Sequence, residues 1–320
     1  MTTTVLAADN IAESGLVLLR SAPGFEVVAA HGKPDVLRAA LPRAHVLLVR
    51  SETQVTDTLM GSAPGLKLVG RAGMGVDNID VAAATRRGVT VLNTPGANTV
   101  SAAEHAVGLM MALVRRIPWA AESMRKGEWD RKRFAGAELH GKTLGVVGLG
   151  RIGSHVAGIA RAFGMKILAH DPYLSEAHAR ALGAEVVALD DLLSRSDLVT
   201  LHVALTDKTR HLIDARRLAL MKPRAALINT ARGGLVDEAA LCAALQEKRI
   251  GGAALDVFER EPLPADSPLR KLEAVVLTPH VAASTGEAQE RTSVEICVAV
   301  RDAITKGEIR GAVNAPGSKT

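Results

Sequence analysis

The sequence predicts an α/β protein built on a doubly wound parallel sheet, joined to a second, smaller α/β unit. Three observations carry that expectation. Strand-like apolar runs alternate with helix-like segments along the 320 residues, the pattern of parallel sheets covered by helices. A glycine-rich run, GLGRIG at 148–153, stands between one such strand and one such helix. The apolar fraction is 48% with only 2% aromatic, so the cores must be assembled from Ala, Val, Leu and Ile. A chain of this length has material for two cores.

Strands are predicted at 5–8, 26–29, 46–49, 66–70 and 90–92, a first unit of about a hundred residues and viable as a domain. A helix is expected over 98–116. It has capping-box spacing at Ser101 and Glu104 and apolar residues at Val100, Val107, Met110, Met111 and Val114. It is read as a bridge to the second unit. Its apolar run at 106–114 is too short to cross a bilayer and reads as a buried helix. The second unit's strands are predicted at 143–147, 166–170, 198–203, 225–230, 252–257 and 274–277. A long helical stretch at 286–306 is expected to return to the first unit, which would make that unit discontinuous.

The glycine run gains meaning from its flanks. Gly148 permits a tight turn, Gly150 lets a pyrophosphate approach the backbone, and Gly153 lets helix and strand pack closely. The helix from Ile152 to Phe163 would present its N-terminal N–H groups and positive dipole end to phosphates. The strand at 166–170 then delivers Asp171, placed to accept hydrogen bonds from an adenosine ribose. A carboxylate there repels a ribose phosphate, and Pro172 and Tyr173 supply no arginine to bind one. The expected cofactor is therefore NAD rather than NADP.

Lysine and arginine exceed aspartate and glutamate by 39 − 34 = 5, and the excess is dispersed. That balance suits a small anionic substrate and argues against nucleic acid. Cys242 and Cys297 fit a reducing cytoplasm, with no disulfide framework and no metal site. No secretory leader or membrane segment is expected.

Three polar residues follow three of the predicted strands: Arg232 in NTARGG, Glu261 in DVFEREP and His280 in TPHVAAST. An arginine fork grips a carboxylate through paired hydrogen bonds. An imidazole titrates near neutrality and exchanges a proton with an alcohol or ketone. A neighbouring carboxylate orients it and favours its charged form. Together they suit hydride transfer on a 2-hydroxy or 2-oxo acid with no metal. Each has a plainer reading: a turn arginine beside two glycines, a solvated loop carboxylate, a histidine satisfying a backbone carbonyl. Their shared strand-end placement with the glycine loop favours chemistry.

From about residue 49 to 315 the sequence resembles the D-2-hydroxyacid dehydrogenase family. The blocks VRSETQVT, GRAGMGVDNID, NTPGANTVSAAE, WDRKRFAGAEL, GKTLGVVGLGRIG, INTARGGLVDE, GAALDVFEREP, TPHVAAST and GAVNAP carry the resemblance. It implies a Rossmann-type NAD-binding domain at 98–285 and a discontinuous, flavodoxin-like substrate domain at 1–97 and 286–320. It implies Arg232, Glu261 and His280 as catalytic. Implied NAD contacts are Gly148, Gly150, Arg151, Ile152, Gly153, Asp171, Val203, Thr230, Ala231, Arg232, Asp256, His280, Val281, Ala282, Ala283 and Met74. On the substrate side it implies Arg50, Ser51, Arg71, Gly73 and Asn98, with Arg131 reaching a neighbouring subunit. The extra arginines suit a substrate bearing a phosphate as well as a carboxylate. A homodimer is implied, with the 98–116 region in the contact, and a tetramer is left open.

Departures from the family pattern are Met74, where relatives often carry threonine, and Val203–Ala204, where a threonine–proline or valine–proline pair is more usual. Both bear on NAD affinity. The sequence ends soon after Ala315, so no regulatory domain and no serine feedback are expected. Two alternatives stay open: a reductase for glyoxylate, hydroxypyruvate or another 2-oxo acid, and a corepressor-like protein that senses NAD.

Overall fold

A computed structural model describes residues 2–315. The chain falls into two compact units, Met1–Asn98 with Ser284–Thr320, and Thr99–Ala283.

The first unit holds five strands, β1 (Thr3–Ala7), β2 (Phe25–Ala29), β3 (Val46–Val49), β4 (Leu68–Arg71) and β5 (Thr90–Leu92). They pair in the order β2-β1-β3-β4-β5, parallel throughout, which is the flavodoxin-like order. Successive side chains alternate between two cores, as period two requires. Leu6, Leu47, Val49, Val69 and Val91 enter one, while Val5, Val46, Leu48, Leu68 and Leu92 enter the other. All four residues of β3 are buried, so this central strand reads as a continuous apolar run. The helix Gly286–Lys306 closes the second core with Ile296, Cys297 and Val300. Thr285 caps it by accepting from the Ala288 amide at 3.1 Å.

The second unit holds β6 (Thr143–Val147), β7 (Lys166–His170), β8 (Ala184–Val186), β9 (Leu198–Leu201), β10 (Ala226–Asn229), β11 (Gly252–Leu255) and β12 (Val275–Leu277). Their order is β12-β11-β10-β9-β6-β7-β8, again parallel. The chain starts at β6 and runs outward to β8, then returns through β9 to β12. The order therefore reverses between β6 and β9, the Rossmann-type switch point where ligands bind. Leucine, valine and alanine fill both faces, with Phe258 an aromatic exception in the buried core.

Several boundaries differ from the sequence reading. The strands expected at 198–203, 225–230 and 252–257 all end earlier, at Leu201, Asn229 and Leu255. Their last residues turn out of the ladder into the loops at the carboxyl edge. The sequence reading missed β8, because three residues containing Glu185 show no clear alternation. The expected capping box is overturned. The helix runs Thr99–Val114, so Ser101 and Glu104 lie inside it, and Ser101 is buried. Its apolar stripe of Ala103, Ala106, Val107, Met110 and Leu113 packs into the second unit's core, and the helix starts as soon as Pro95 and Gly96 are passed.

Candidate active site

Parallel strands put their carboxyl ends on one edge of a sheet, and loops leaving that edge bring their side chains together. β10, β11 and β12 are neighbours, and the loops leaving them carry Arg232, Glu261 and His280 in turn. Nδ1 of His280 lies 2.7 Å from Oε2 of Glu261. Oε1 of Glu261 accepts from the Phe258 amide at 3.0 Å, so the carboxylate is oriented before it meets the ring. An ionised carboxylate only accepts, so Nδ1 carries the proton of this bond and Nε2 is left to face an outside partner.

The electrostatics follow from these contacts. The Glu261 hydrogen bond raises the His280 imidazole above its ordinary value, against the pull of burial and of the Arg232 charge. Burial pushes Glu261 up, but the His280 bond, the Phe258 amide and the positive charges of His280 and Arg232 outweigh it and hold it low. The Arg232 guanidinium thus sits within electrostatic reach of both partners. Its Nη1 donates to the Ala231 carbonyl at 2.6 Å.

Backbone contacts stitch the three loops together. Asn229, buried at the end of β10, donates to the Arg232 carbonyl at 2.9 Å and accepts from the Ala231 amide at 3.1 Å. A Cβ on Gly233 would stand 1.9 Å from the Phe258 carbonyl carbon, so only glycine lets the Arg232 loop lie against the Glu261 loop. His280 itself adopts a left-handed backbone, φ 53°, a conformation that costs a non-glycine residue about 1–2 kcal/mol. Its amide donates to the Asp256 carbonyl at 2.8 Å. The Asp256 carboxylate accepts from Val281 at 2.9 Å and Ala282 at 2.8 Å, closing the turn on its other side. Asp256 is fully buried. Burial pushes its carboxyl up, yet hydrogen bonds from His105, Thr278, Val281 and Ala282 prevail and hold it below its ordinary value. Asn229 and His105 were missed by the sequence reading.

The glycine loop fits a dinucleotide. Gly148 has φ 89°, and a Cβ there would meet the His202 carbonyl oxygen at 2.7 Å. A Cβ on Gly153 would stand 2.0 Å from the Gly148 oxygen, while one on Gly150 would meet nothing within 4 Å. The loop is thus closed toward the protein and open at Gly150, where the helix Arg151–Ala162 begins with no side chain capping it. Arg151 is exposed and Ile152 packs on the second unit's core. Asp171 accepts from Leu149 at 2.9 Å and Tyr173 at 3.0 Å, tying the end of β7 to the loop. Val203 lies over Gly148, and the buried hydroxyl of Thr230 has no hydrogen-bond partner. An orphaned buried hydroxyl between β10 and Arg232 is what a polar cofactor group would satisfy. Burial holds the His202 imidazole down at about 4, so that ring is neutral near pH 7. Among the described residues no cluster of three His, Cys, Asp or Glu could hold a metal ion.

In the first unit the candidate residues gather at the carboxyl ends of β3, β4 and β5. The buried Asp9 accepts from the amides of Arg50 at 2.6 Å, Glu52 at 3.2 Å and Thr53 at 3.1 Å, and also from the Thr53 hydroxyl. Nδ2 of Asn78 donates to the carbonyls of Arg50 and Thr53 at 2.9 and 2.7 Å. Asp9 and Asn78 together fix the loop bearing Arg50 and the exposed Ser51, and the sequence reading missed both. Nε of Arg50 and Oδ1 of Asn98 are buried without a hydrogen-bond partner. Gly73 leaves room for Arg71, whose Nη1 would stand 1.5 Å from a Cβ there. Met74 is exposed, and its carbonyl accepts from Asn93 at 2.7 Å. In the second unit Arg131 stands exposed in a turn.

The family profile described as "D-isomer specific 2-hydroxyacid dehydrogenase, NAD binding domain" matches residues 107–282. The chain belongs to the D-isomer specific 2-hydroxyacid dehydrogenase family. A D-3-phosphoglycerate dehydrogenase of Synechocystis sp. is 48% identical over 98% of this chain and 56% of its own length. The chain thus spans little more than half of that relative. The NAD-dependent formate dehydrogenase of Staphylococcus aureus, solved in complex with NAD, superimposes with a TM-score of 0.85 at 30% identity, covering 99% of this chain and 100% of the other. A glyoxylate reductase of Paecilomyes thermophila gives a TM-score of 0.84 at 31% identity, covering 98% of both chains. NAD is the cofactor of the family domain matched here. No helix among the described residues is long and apolar enough to cross a membrane.

Proposed function

We propose that this chain oxidises 3-phospho-D-glycerate to 3-phosphohydroxypyruvate with NAD, the opening step of serine synthesis. The observation that carries the chemistry is the 2.7 Å pairing of His280 with Glu261 within electrostatic reach of Arg232. The likeness to phosphoglycerate dehydrogenases over nearly the whole chain supports the substrate. Bound at the glycine loop, NAD would supply the acceptor for the C2 hydride. Arg232 grips the substrate carboxylate and polarises the C2 oxygen, and Nε2 of His280 takes the hydroxyl proton. Glu261 stabilises the imidazolium so formed. In the reverse direction the same nitrogen returns the proton to the oxo group.

The cofactor roles follow the glycine loop, with Gly148, Gly150, Arg151, Ile152 and Gly153 at the pyrophosphate and Asp171 and Val203 at the adenosine. Thr230, Ala231, Asp256, Val281, Ala282 and Ala283 would hold the nicotinamide end, and Met74 is a further candidate NAD contact. Arg50, Ser51, Arg71, Gly73 and Asn98 recognise the phosphate-bearing substrate, and the unpartnered Nε of Arg50 and Oδ1 of Asn98 support that role. Residues 99–283 would serve as the NAD-binding domain, and 2–98 with 284–315 as the substrate domain, a shift of one or two residues from the boundaries expected from the sequence. The enzyme works as a homodimer in the cytoplasm, with Arg131 reaching the neighbouring subunit.

The test follows NADH absorbance with phosphohydroxypyruvate, hydroxypyruvate, glyoxylate and 2-oxoglutarate in parallel. Fastest turnover at low substrate is expected for phosphohydroxypyruvate. Preference for glyoxylate or 2-oxoglutarate would reassign the substrate, and NADH binding without any turnover would favour a sensor.

A further inference from the structure

His105 lies inside the helix Thr99–Val114, remote in sequence from every chemical group described so far, yet its ring reaches the carboxyl edge of the sheet. Nε2 is 3.1 Å from the Thr278 hydroxyl and 3.3 Å from Oδ1 of Asp256. Thr278 in turn places its hydroxyl 2.5 Å from the same Asp256 oxygen. A threonine hydroxyl has one proton, and with Asp256 ionised that proton points to the carboxylate. The hydroxyl can then only accept from His105, so Nε2 must carry a proton, shared between the hydroxyl and Oδ1.

The order of contacts is continuous: His105 to Thr278, Thr278 to Asp256, and Asp256 to the amides of Val281 and Ala282. Those amides and the Asp256 carbonyl hold His280 in its left-handed backbone. The backbone in turn sets where Nε2 of His280 points. Asp256 is fully buried, so each donor it lacks leaves charge uncompensated in a low-dielectric site.

We propose that His105 is a positioning residue: through Thr278 and Asp256 it fixes the turn that aims the His280 imidazole. The inference rests on the dehydrogenase reading for its kinetic consequence but not for its structural one. The influence of His105 passes through the Asp256 carboxylate.

The experiment compares wild-type protein with His105→Leu, His105→Gln, Thr278→Val and the His105→Leu/Thr278→Val pair. Glutamine keeps an N–H donor near the position of Nε2, and leucine keeps the bulk alone. In the leucine variant kcat for oxo-acid reduction is expected to fall about tenfold, with KM for the oxo acid within about twofold. The glutamine variant should recover kcat to within about threefold of wild type. Because His105 and Thr278 converge on one Asp256 oxygen and on each other, adding His105→Leu to Thr278→Val should cost less than about threefold more. Hydrogen exchange in the ligand-free protein supplies an arm independent of turnover. The peptide containing Val281 and Ala282 should exchange at least about tenfold faster in the leucine variant and near the wild-type rate in the glutamine variant.

Equal losses in the leucine and glutamine variants, accompanied by equal falls in Tm, would reduce His105 to a packing residue. So would multiplying effects in the double variant or unchanged exchange at 281–282. If wild-type protein reduces no 2-oxo acid, the dehydrogenase reading falls, and the exchange arm still decides the place of His105.

Discussion

Asp9, just beyond β1 in the first unit, and Asp256, just beyond β11 in the second, perform the same mechanical task with different partners. Each is buried at a carboxyl strand end and holds a loop by accepting several backbone amides. Around Asp9 the donors are amides and one threonine hydroxyl, and the loop presents the guanidinium of Arg50. Around Asp256 a histidine joins the donors, and the loop presents His280, an imidazole able to change charge near neutral pH. On the proposed reading the two carboxylates serve different ends: one region holds a guanidinium still, as anion recognition would need. The other would hold a proton carrier, His280, whose imidazole Glu261 raises against burial and the Arg232 charge.

The sharpest way to break this comparison is to remove each clamp. Asp256→Asn is expected to lower kcat about a hundredfold, since it disturbs the turn that aims the proton carrier. Asp9→Asn should leave NADH binding within about twofold and raise KM for the oxo acid about tenfold, the signature of lost substrate binding. Each variant should also lose about 1–3 kcal/mol in urea unfolding, because buried amides lose an acceptor. Kinetic effects of the same kind from both variants would erase the distinction.

A smaller effect sharpens the first region. Arg50→Ala should raise KM for phosphohydroxypyruvate at least about tenfold, as for loss of a charge-assisted contact, while moving glyoxylate less than about threefold. Equal effects on the two substrates would contradict phosphate recognition at Arg50.

In the second region, Glu261→Gln removes the partner that raises the His280 imidazole. Reduction needs that ring protonated, so activity falls as pH rises through its titration. The alkaline limb of kcat/KM should therefore move to lower pH in the glutamine variant. An unmoved limb would assign the tuning to another group.

The smallest effect is on stability. His280 is raised in the folded protein, so its contribution is full below its ordinary value of 6.5 and is lost as pH climbs through the folded value. Glu261 is lowered, so its contribution is full above its ordinary value of 4.5 and is lost as pH falls through the folded value. Wild type should exceed Glu261→Gln most between those two pH values. With both side chains over a third exposed, the difference should stay within about 1 kcal/mol. A gap that grows outside that window would contradict the pairing.

How far the sequence was legible depends on the range of the interactions involved. Strands such as 46–49, 143–147 and 166–170 were readable because short runs of consecutive apolar residues at their centres need no distant partner to declare themselves. The glycine loop was readable because strand, turn and helix are contiguous. The supports were not. His105 meets Thr278 across 173 positions, and Asp9 meets Arg50 across 41, so no local pattern marks either. Asn229 sat in plain view in NTARGG, but only the fold shows its amide gripping both ends of the Arg232 turn. Ser101 misled because capping spacing inside an apolar helix mimics a helix start.

The most direct test of the account is single-turnover reduction of phosphohydroxypyruvate by protein preloaded with NADH, comparing wild type with His280→Ala. The account predicts a fall of at least about a hundredfold in the rate of NADH oxidation, with the NADH dissociation constant within about threefold. A loss below about tenfold, or a loss explained wholly by weaker NADH binding, would contradict His280 as the group that carries the proton.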